Sequence, residues 1–140
     1  MIDACYTDAL KAVADTNRLR LFWLLVHVDE RICVAEAMDV LGETHYNVSR
    51  NLKILQKAGL VTAHKEGKWV FYTLNREGSP FQIKLLAAVK SIPEQELETE
   101  IRKCHLRLAL RESGQCVVGP DSTEWADIIK RQGLSENGQA

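Results

Sequence analysis

Residues 44–60, THYNVSRNLKILQKAGL, constrain this chain more than any other stretch. Val48, Leu52 and Leu55 fall at i, i+4 and i+7 and so share one face of a helix. Thr44 is a good N-cap, and Gly59 stands where a helix stops in a left-handed residue. The opposite face carries Tyr46, Asn47, Ser49, Arg50, Asn51, Lys53 and Lys57, which are mostly donors and cations. A helix held by one apolar stripe and offering donors outward suits the major groove of DNA. Most polar helix faces are merely solvated, so the neighbouring sequence must decide.

That neighbourhood is informative. A shorter helix over residues 34–41 precedes it, joined by Gly42-Glu43, which is the spacing of a helix-turn-helix. After Gly59 come two strand-like runs, residues 60–65 and 69–74, around Glu66-Gly67-Lys68. They read as a hairpin whose tip carries Lys65 and Lys68. Residues 31–33 are β-prone and could add a small third strand. Trp69 and Tyr72 fall on opposite faces by period two, and the hairpin aromatics are read as packing groups. The fold class is therefore mainly α (α+β), a winged helix-turn-helix with a two-stranded wing.

The run VSRNLKILQKAGLVTAHKEGKWVFYTL, with ADTNRLRLFWLL upstream, resembles the ArsR/SmtB family of winged-helix repressors, over roughly residues 8–92. The resemblance implies a homodimer that binds double-stranded operator DNA and lets go when a metal or metalloid ion binds. The DNA-contact residues expected on this basis are Thr44, His45, Tyr46, Asn47, Ser49, Arg50, Asn51 and Lys53 in the helix, with Lys65 and Lys68 in the wing.

The charge distribution agrees. Between residues 44 and 68 there are five basic residues (Arg50, Lys53, Lys57, Lys65, Lys68) against one acid, Glu66. That is +4 locally, leaving −5 for the rest of a chain whose formal net charge is −1. A basic patch on an acidic body steers toward phosphate without general stickiness. At 140 residues with ordinary apolar content, the chain is large enough to bury a core. No apolar run approaches the roughly 20 residues of a membrane span, and MIDACYTDAL lacks a signal-peptide pattern, so a cytoplasmic protein is expected.

Helices are also expected at residues 5–13, at 17–28 behind a Thr16 cap, at 80–91 and at 94–112. Ser79 can cap the third of these with Pro80 at its first position. Residues 80–91 carry Phe81, Ile83, Leu85, Leu86, Ala88 and Val89 on nearly every side, so a second copy of the chain is the expected cover. The family resemblance gives this helix the same role. In the helix over 94–112, Leu97, Ile101, Cys104 and Leu108 form one stripe. The organisation expected is a DNA-binding and dimerisation domain at 1–92, a cysteine-bearing segment at 93–119 and a polar tail at 120–140. The tail carries an amphipathic patch at Trp125, Ile128 and Ile129, and its last six residues are expected to be mobile.

The four cysteines, Cys5, Cys33, Cys104 and Cys116, include no CxxC. In a cytosolic chain they are packers, ligands or redox groups rather than a disulfide framework. The arsenic and cadmium repressors of the resembled family place a CVC run before the recognition helix. Here that run is Cys33-Val34-Ala35, so only its first thiol is present. One thiolate does not hold a soft ion tightly. The expected site is therefore Cys5, Cys104 and Cys116, with Cys33 as a secondary candidate. Three thiolates suit trivalent arsenic or antimony as inducer, with no organic cofactor. Residues 80–91 contain no Asp, Glu or His, which argues against the zinc site of the family. Two alternatives remain open: a thiol-based redox-sensing repressor of the same fold, or a winged-helix protein-interaction module. No phosphate-binding Gly loop, nucleophile elbow or HExxH supports an enzyme.

Overall fold

The computed structural model describes residues 1–134 of the chain; the expectation of a mobile 135–140 falls outside them. Helix α1 (Ala4–Val13) and α2 (Thr16–Val28) lead into a short strand β1 (Ile32–Cys33). Helices α3 (Val34–Leu41) and α4 (His45–Lys57) form the helix-turn-helix, followed by the wing strands β2 (Val61–Glu66) and β3 (Trp69–Leu74). Then come α5 (Pro80–Lys90), a 3-10 turn (Glu94–Leu97), α6 (Glu98–Leu108) and α7 (Thr123–Gln132). This is the expected winged helix-turn-helix, with β1 completing a three-stranded antiparallel sheet in the order β1-β3-β2.

Local chemistry sets the boundaries. Thr44 Oγ1 accepts the Asn47 amide at 3.2 Å and opens α4. Ser79 and Gln82 form a capping box at the start of α5, with Pro80 at its first position. Asp15, rather than Thr16, caps α2: its carboxylate accepts the Arg18 amide at 3.0 Å. Gly59 ends the recognition helix at φ +78°, and a Cβ there would collide with the Gln82 side-chain amide. That amide instead donates to the Ala58 carbonyl at 3.0 Å, which ties α5 to the end of α4.

The main core lies beneath α2, where six consecutive residues, Leu21 through Val26, are buried. It is closed by Val48, Leu52 and Leu55 of α4, Tyr72 of β3 and Cys104 of α6. Trp23 Nε1 donates to the Ile92 carbonyl at 3.1 Å and fixes the chain where α5 ends. The sheet has two covered faces. Ile32 pairs with Tyr72 and both belong to the main core, whereas Cys33 pairs with Phe71 and both belong to a second cluster with Ala35 and Cys116.

The C-terminal third departs most from expectation. Helix α6 stops at Leu108, short of the expected 112. Ser113 and Gly114 both adopt positive φ, and Glu112 and Gln115 exchange backbone hydrogen bonds at 3.0 and 2.9 Å. This two-residue reversal, with Gly in its second position, matches a tight hairpin turn. It sends residues 115–121 back across β1 and α3 as a strap. The patch at Trp125, Ile128 and Ile129 forms α7, in which Trp125 and Ile129 are buried. Arg102 of α6 donates to Gln132 of α7 at 2.8 Å.

Candidate nucleic-acid interface and thiol site

Helix α4 presents His45, Tyr46, Ser49, Arg50, Lys53 and Lys57 along a shallow groove. Tyr46 is 70% exposed, and the Arg50 guanidinium lies 5.6 Å from its ring centroid. Asn47 and Ser49 are half-buried, and Thr44, Lys65 and Lys68 are exposed. Lys68 Nζ stands 5.0 Å from the Trp69 ring. The one acid of the wing, Glu66, is paired with Arg31, so the basic character of this face is less opposed than the sequence alone indicates.

Asn51 does not belong with these residues. It is only 4% exposed, because it lies three residues after Val48 and four before Leu55, on the core stripe itself. Its Oδ1 has no hydrogen-bond partner among the described residues. The expectation that it faces a groove is corrected by that burial.

The thiols are grouped differently from expectation. Cys33 Sγ and Cys116 Sγ lie 3.6 Å apart, both reduced and both buried. Among the described residues, the one group of three or more thiol, imidazole or carboxylate ligands close enough to share an ion is Cys33, Glu36 and Cys116, with ligand atoms within 4.8 Å. Cys104 sits in the main core, and burial pushes its thiol up to about 12. Cys5 is exposed on α1. The turn at Ser113-Gly114 explains the difference: it carries Cys116 away from α6 and onto the outer face of the sheet. Cys5, Cys104 and Cys116 are therefore not brought together within one chain.

Glu36 is almost fully occupied. It accepts the Cys33 amide at 3.1 Å and both a 2.7 Å Nε and a 2.7 Å Nη2 bond from Arg111. Arg111 also donates to the Arg31 carbonyl at 2.6 Å. Four residues earlier, in the last turn of α6, Arg107 reaches Asp39 at 2.7 Å and the strap carbonyls of Val118 and Gly119 at 2.7 and 3.3 Å. Asp39 in turn accepts the Asp121 amide at 2.9 Å. The first helix of the helix-turn-helix is thus held to α6 and the strap by two buried ion pairs. Burial first, and the Glu36 charge second, raise the Cys33 thiol above its ordinary value. The strap is further pinned where Arg31 donates to the Gly114 carbonyl at 2.8 Å and covers the Phe71 ring at 4.1 Å.

Helix α5 has a single buried residue, Val89, despite its apolar sequence. Tyr6 of α1 meets Phe81 edge-on at 5.2 Å, and Tyr6, Leu10 and Ile83 are exposed. The two helices leave a joint apolar surface.

Comparison with known proteins agrees with this architecture. Residues 13–64 match the family described as "Helix-turn-helix domain". The chain is 39% identical over 62 residues to the cadmium resistance transcriptional regulatory protein CadC of Listeria innocua, covering 44% of this chain and 51% of that protein. It is 35% identical over 72 residues to the arsenical resistance operon repressor of Bacillus subtilis, covering 51% and 68%. Among solved structures, HlyU from Vibrio cholerae superposes with a TM-score of 0.53 at 30% identity, over 61% of this chain and 88% of that one. The match to the cadmium regulator spans about half of that protein's length.

Proposed function

This chain belongs to the ArsR/SmtB family of winged helix-turn-helix regulators, and we propose that it is a homodimeric, operator-binding repressor released when a soft ion bridges Cys33 and Cys116. The observation that carries the reading is the 3.6 Å approach of two buried sulfurs. One ion can span that separation with bonds of about 2.3 Å, the length of a zinc–thiolate bond. Sulfur donors suit trivalent arsenic or antimony, and of the two relatives one is named for arsenical and the other for cadmium resistance, both soft-ion names. Arg111 holds the nearby carboxylate, so the two sulfurs are the free donors of the group.

The position of the pair supplies a coupling route. Cys33 is the residue before α3 and the β1 partner of Phe71 in the wing, while Cys116 belongs to the strap. An ion across the two sulfurs ties the strap to the junction where β1, paired with the wing, passes into α3, and so biases the setting of the elements that support the reading helix. A preference of 1–3 kcal/mol for the altered arrangement, the usual size of such coupling, is enough to loosen an operator complex. Tyr46, Ser49 and Arg50 would read base edges, with Lys65 and Lys68 at phosphates. The α1–α5 apolar surface would be covered by a second copy.

The test is fluorescence anisotropy of a duplex taken from upstream of the protein's own gene. Arsenite or antimonite releases the wild type, whereas Cys33→Ser and Cys116→Ser bind DNA but stay bound. Normal release in both variants would return the site to Cys5 and Cys104. The same pair could instead close a disulfide under peroxide, which is the redox reading. Burial that keeps Cys33 protonated slows both reactions, because the thiolate is the attacking species and the ligand, so the response to peroxide against arsenite decides between them.

A further inference from the structure

Two hollows continue the groove of α4, one from each end, and their charges differ. At the start of α4, His45 passes into a hollow lined by Asp39, Glu43 and Asp121 beside Trp125 of α7. At its far end, Ile54 and Lys57 pass into a hollow at the corner between α1 and α2, lined by Asp8, Lys11 and Arg18. Asp39 is paired with Arg107 and Glu43 with Arg20, so the first hollow has no lysine or arginine to offer a ligand. In the second, Arg18 is spent inside the fold. Its Nε donates to the Ala12 carbonyl at 2.8 Å and its Nη2 to the Lys11 carbonyl at 3.2 Å. That grip closes the last turn of α1 and holds the backbone that carries Lys11. Lys11 and Lys57 are themselves exposed, and neither ammonium has an ion-pair partner among the described residues.

Resting on the operator-binding reading above, we propose that the phosphate backbone of the duplex leaves α4 over the α1–α2 corner, where Lys11 and Lys57 each take a phosphate. Duplex DNA is a dense line of negative charge, and it follows the end of the groove that offers cations and avoids the end that offers carboxylates. This contact lies outside the helix-turn-helix and the wing. It touches phosphate alone, so it adds affinity and fixes register without reading sequence. Helix α1 also carries the exposed Tyr6 and Leu10 of the apolar surface shared with α5. The corner therefore joins the face that meets DNA to the face read as the contact between copies.

The experiment measures anisotropy of the full chain with its operator duplex and with an unrelated duplex of equal length, between about 50 and 200 mM salt. Lys11→Ala and Lys57→Ala should each lower the slope of log affinity against log salt by about 0.9 for every chain on the duplex, with the same loss on both duplexes. Lys57→Arg should restore the slope, and Asp121→Asn at the acidic end should leave it unchanged. Both lysines stand in the last turn of a helix, where a cation also steadies the helix end. Melting temperature is therefore read alongside. A lowered melting temperature with an unchanged slope in both alanine variants makes them helix-end charges and overturns the proposal. A steeper slope in Asp121→Asn also overturns it, because the backbone would then pass α7. If Arg50→Ala still weakens specific binding in either case, the operator-binding reading stands. A wild-type chain that binds neither duplex removes that reading itself.

Discussion

Arg107 and Asp39 meet at 2.7 Å with both side chains nearly sealed from solvent, at 1% and 6% exposure. The pair joins α6 to the first helix of the helix-turn-helix, and each partner has further bonds to the strap. Removing one member leaves a buried charge unanswered. Arg107→Met should therefore cost about 3–5 kcal/mol of stability, read as a lowered urea midpoint. Adding Asp39→Leu should recover only part of it, since the Asp121 amide and the Val118 carbonyl stay unpaired. Full recovery in the double variant would mean that the strap bonds contribute nothing.

The reading helix separates two kinds of residue. Arg50→Ala should weaken specific binding by about 1–3 kcal/mol, and Lys68→Ala should weaken all sequences alike and reduce the salt slope by about 0.9. Asn51→Leu should leave operator affinity within about twofold. It should not lower the melting temperature, because an unpaired buried oxygen is exchanged for carbon. Loss of sequence selectivity in Asn51→Leu would reinstate it as a base contact.

Assembly can be tested on the exposed side of α5. Ile83 is 38% exposed in the single chain, so Ile83→Glu should spare the fold. In a dimer sealed by α1 and α5 it buries a charge, and sedimentation should then show monomers at micromolar concentration. Operator affinity should fall in parallel. A dimer of unchanged strength would place the interface elsewhere.

Alkaline stability should report on Cys104. Its thiol is neutral in the fold and pushed up to about 12, while the unfolded thiol ionises near 9.0. The stabilisation is present below pH 9 and is lost as pH rises toward the folded value. At pH 10.5 the loss is about 2 kcal/mol. In Cys104→Ala the decline between pH 9 and 10.5 should be shallower by that amount, measured by chemical denaturation at each pH. An identical decline would show that other groups dominate.

The helix-turn-helix and wing were legible because their signals are local. Thr44, Gly42, Gly59 and the Val48-Leu52-Leu55 stripe each act within a few residues. The burial of Asn51 was also legible, since it shares that stripe; its polarity drew it to the wrong face. The thiol pair was not legible. It joins residues 83 positions apart through a turn at Ser113-Gly114 that a helical pattern running to 112 conceals. Glu36 and Asp39, three apart, mark one face of α3, and Arg107 and Arg111, four apart, share a face of the helix expected to run to 112, although in the fold Arg111 lies just past the end of α6. That the two faces are partners follows only from the fold.

The same separation has a thermodynamic consequence for the lifetime of the protein. Whatever bridges Cys33 to Cys116 closes a loop of 83 residues. By chain-entropy reasoning, a covalent link across a loop of that length disfavours the unfolded ensemble by about 4–5 kcal/mol. A bridging ion that binds only the folded chain acts in the same direction by mass action. The form that lets go of DNA would then be the form that resists proteolysis, so an inducer would lengthen the survival of the very repressor it silences. Recovery of repression would be set by loss of the bridge rather than by synthesis of new chain.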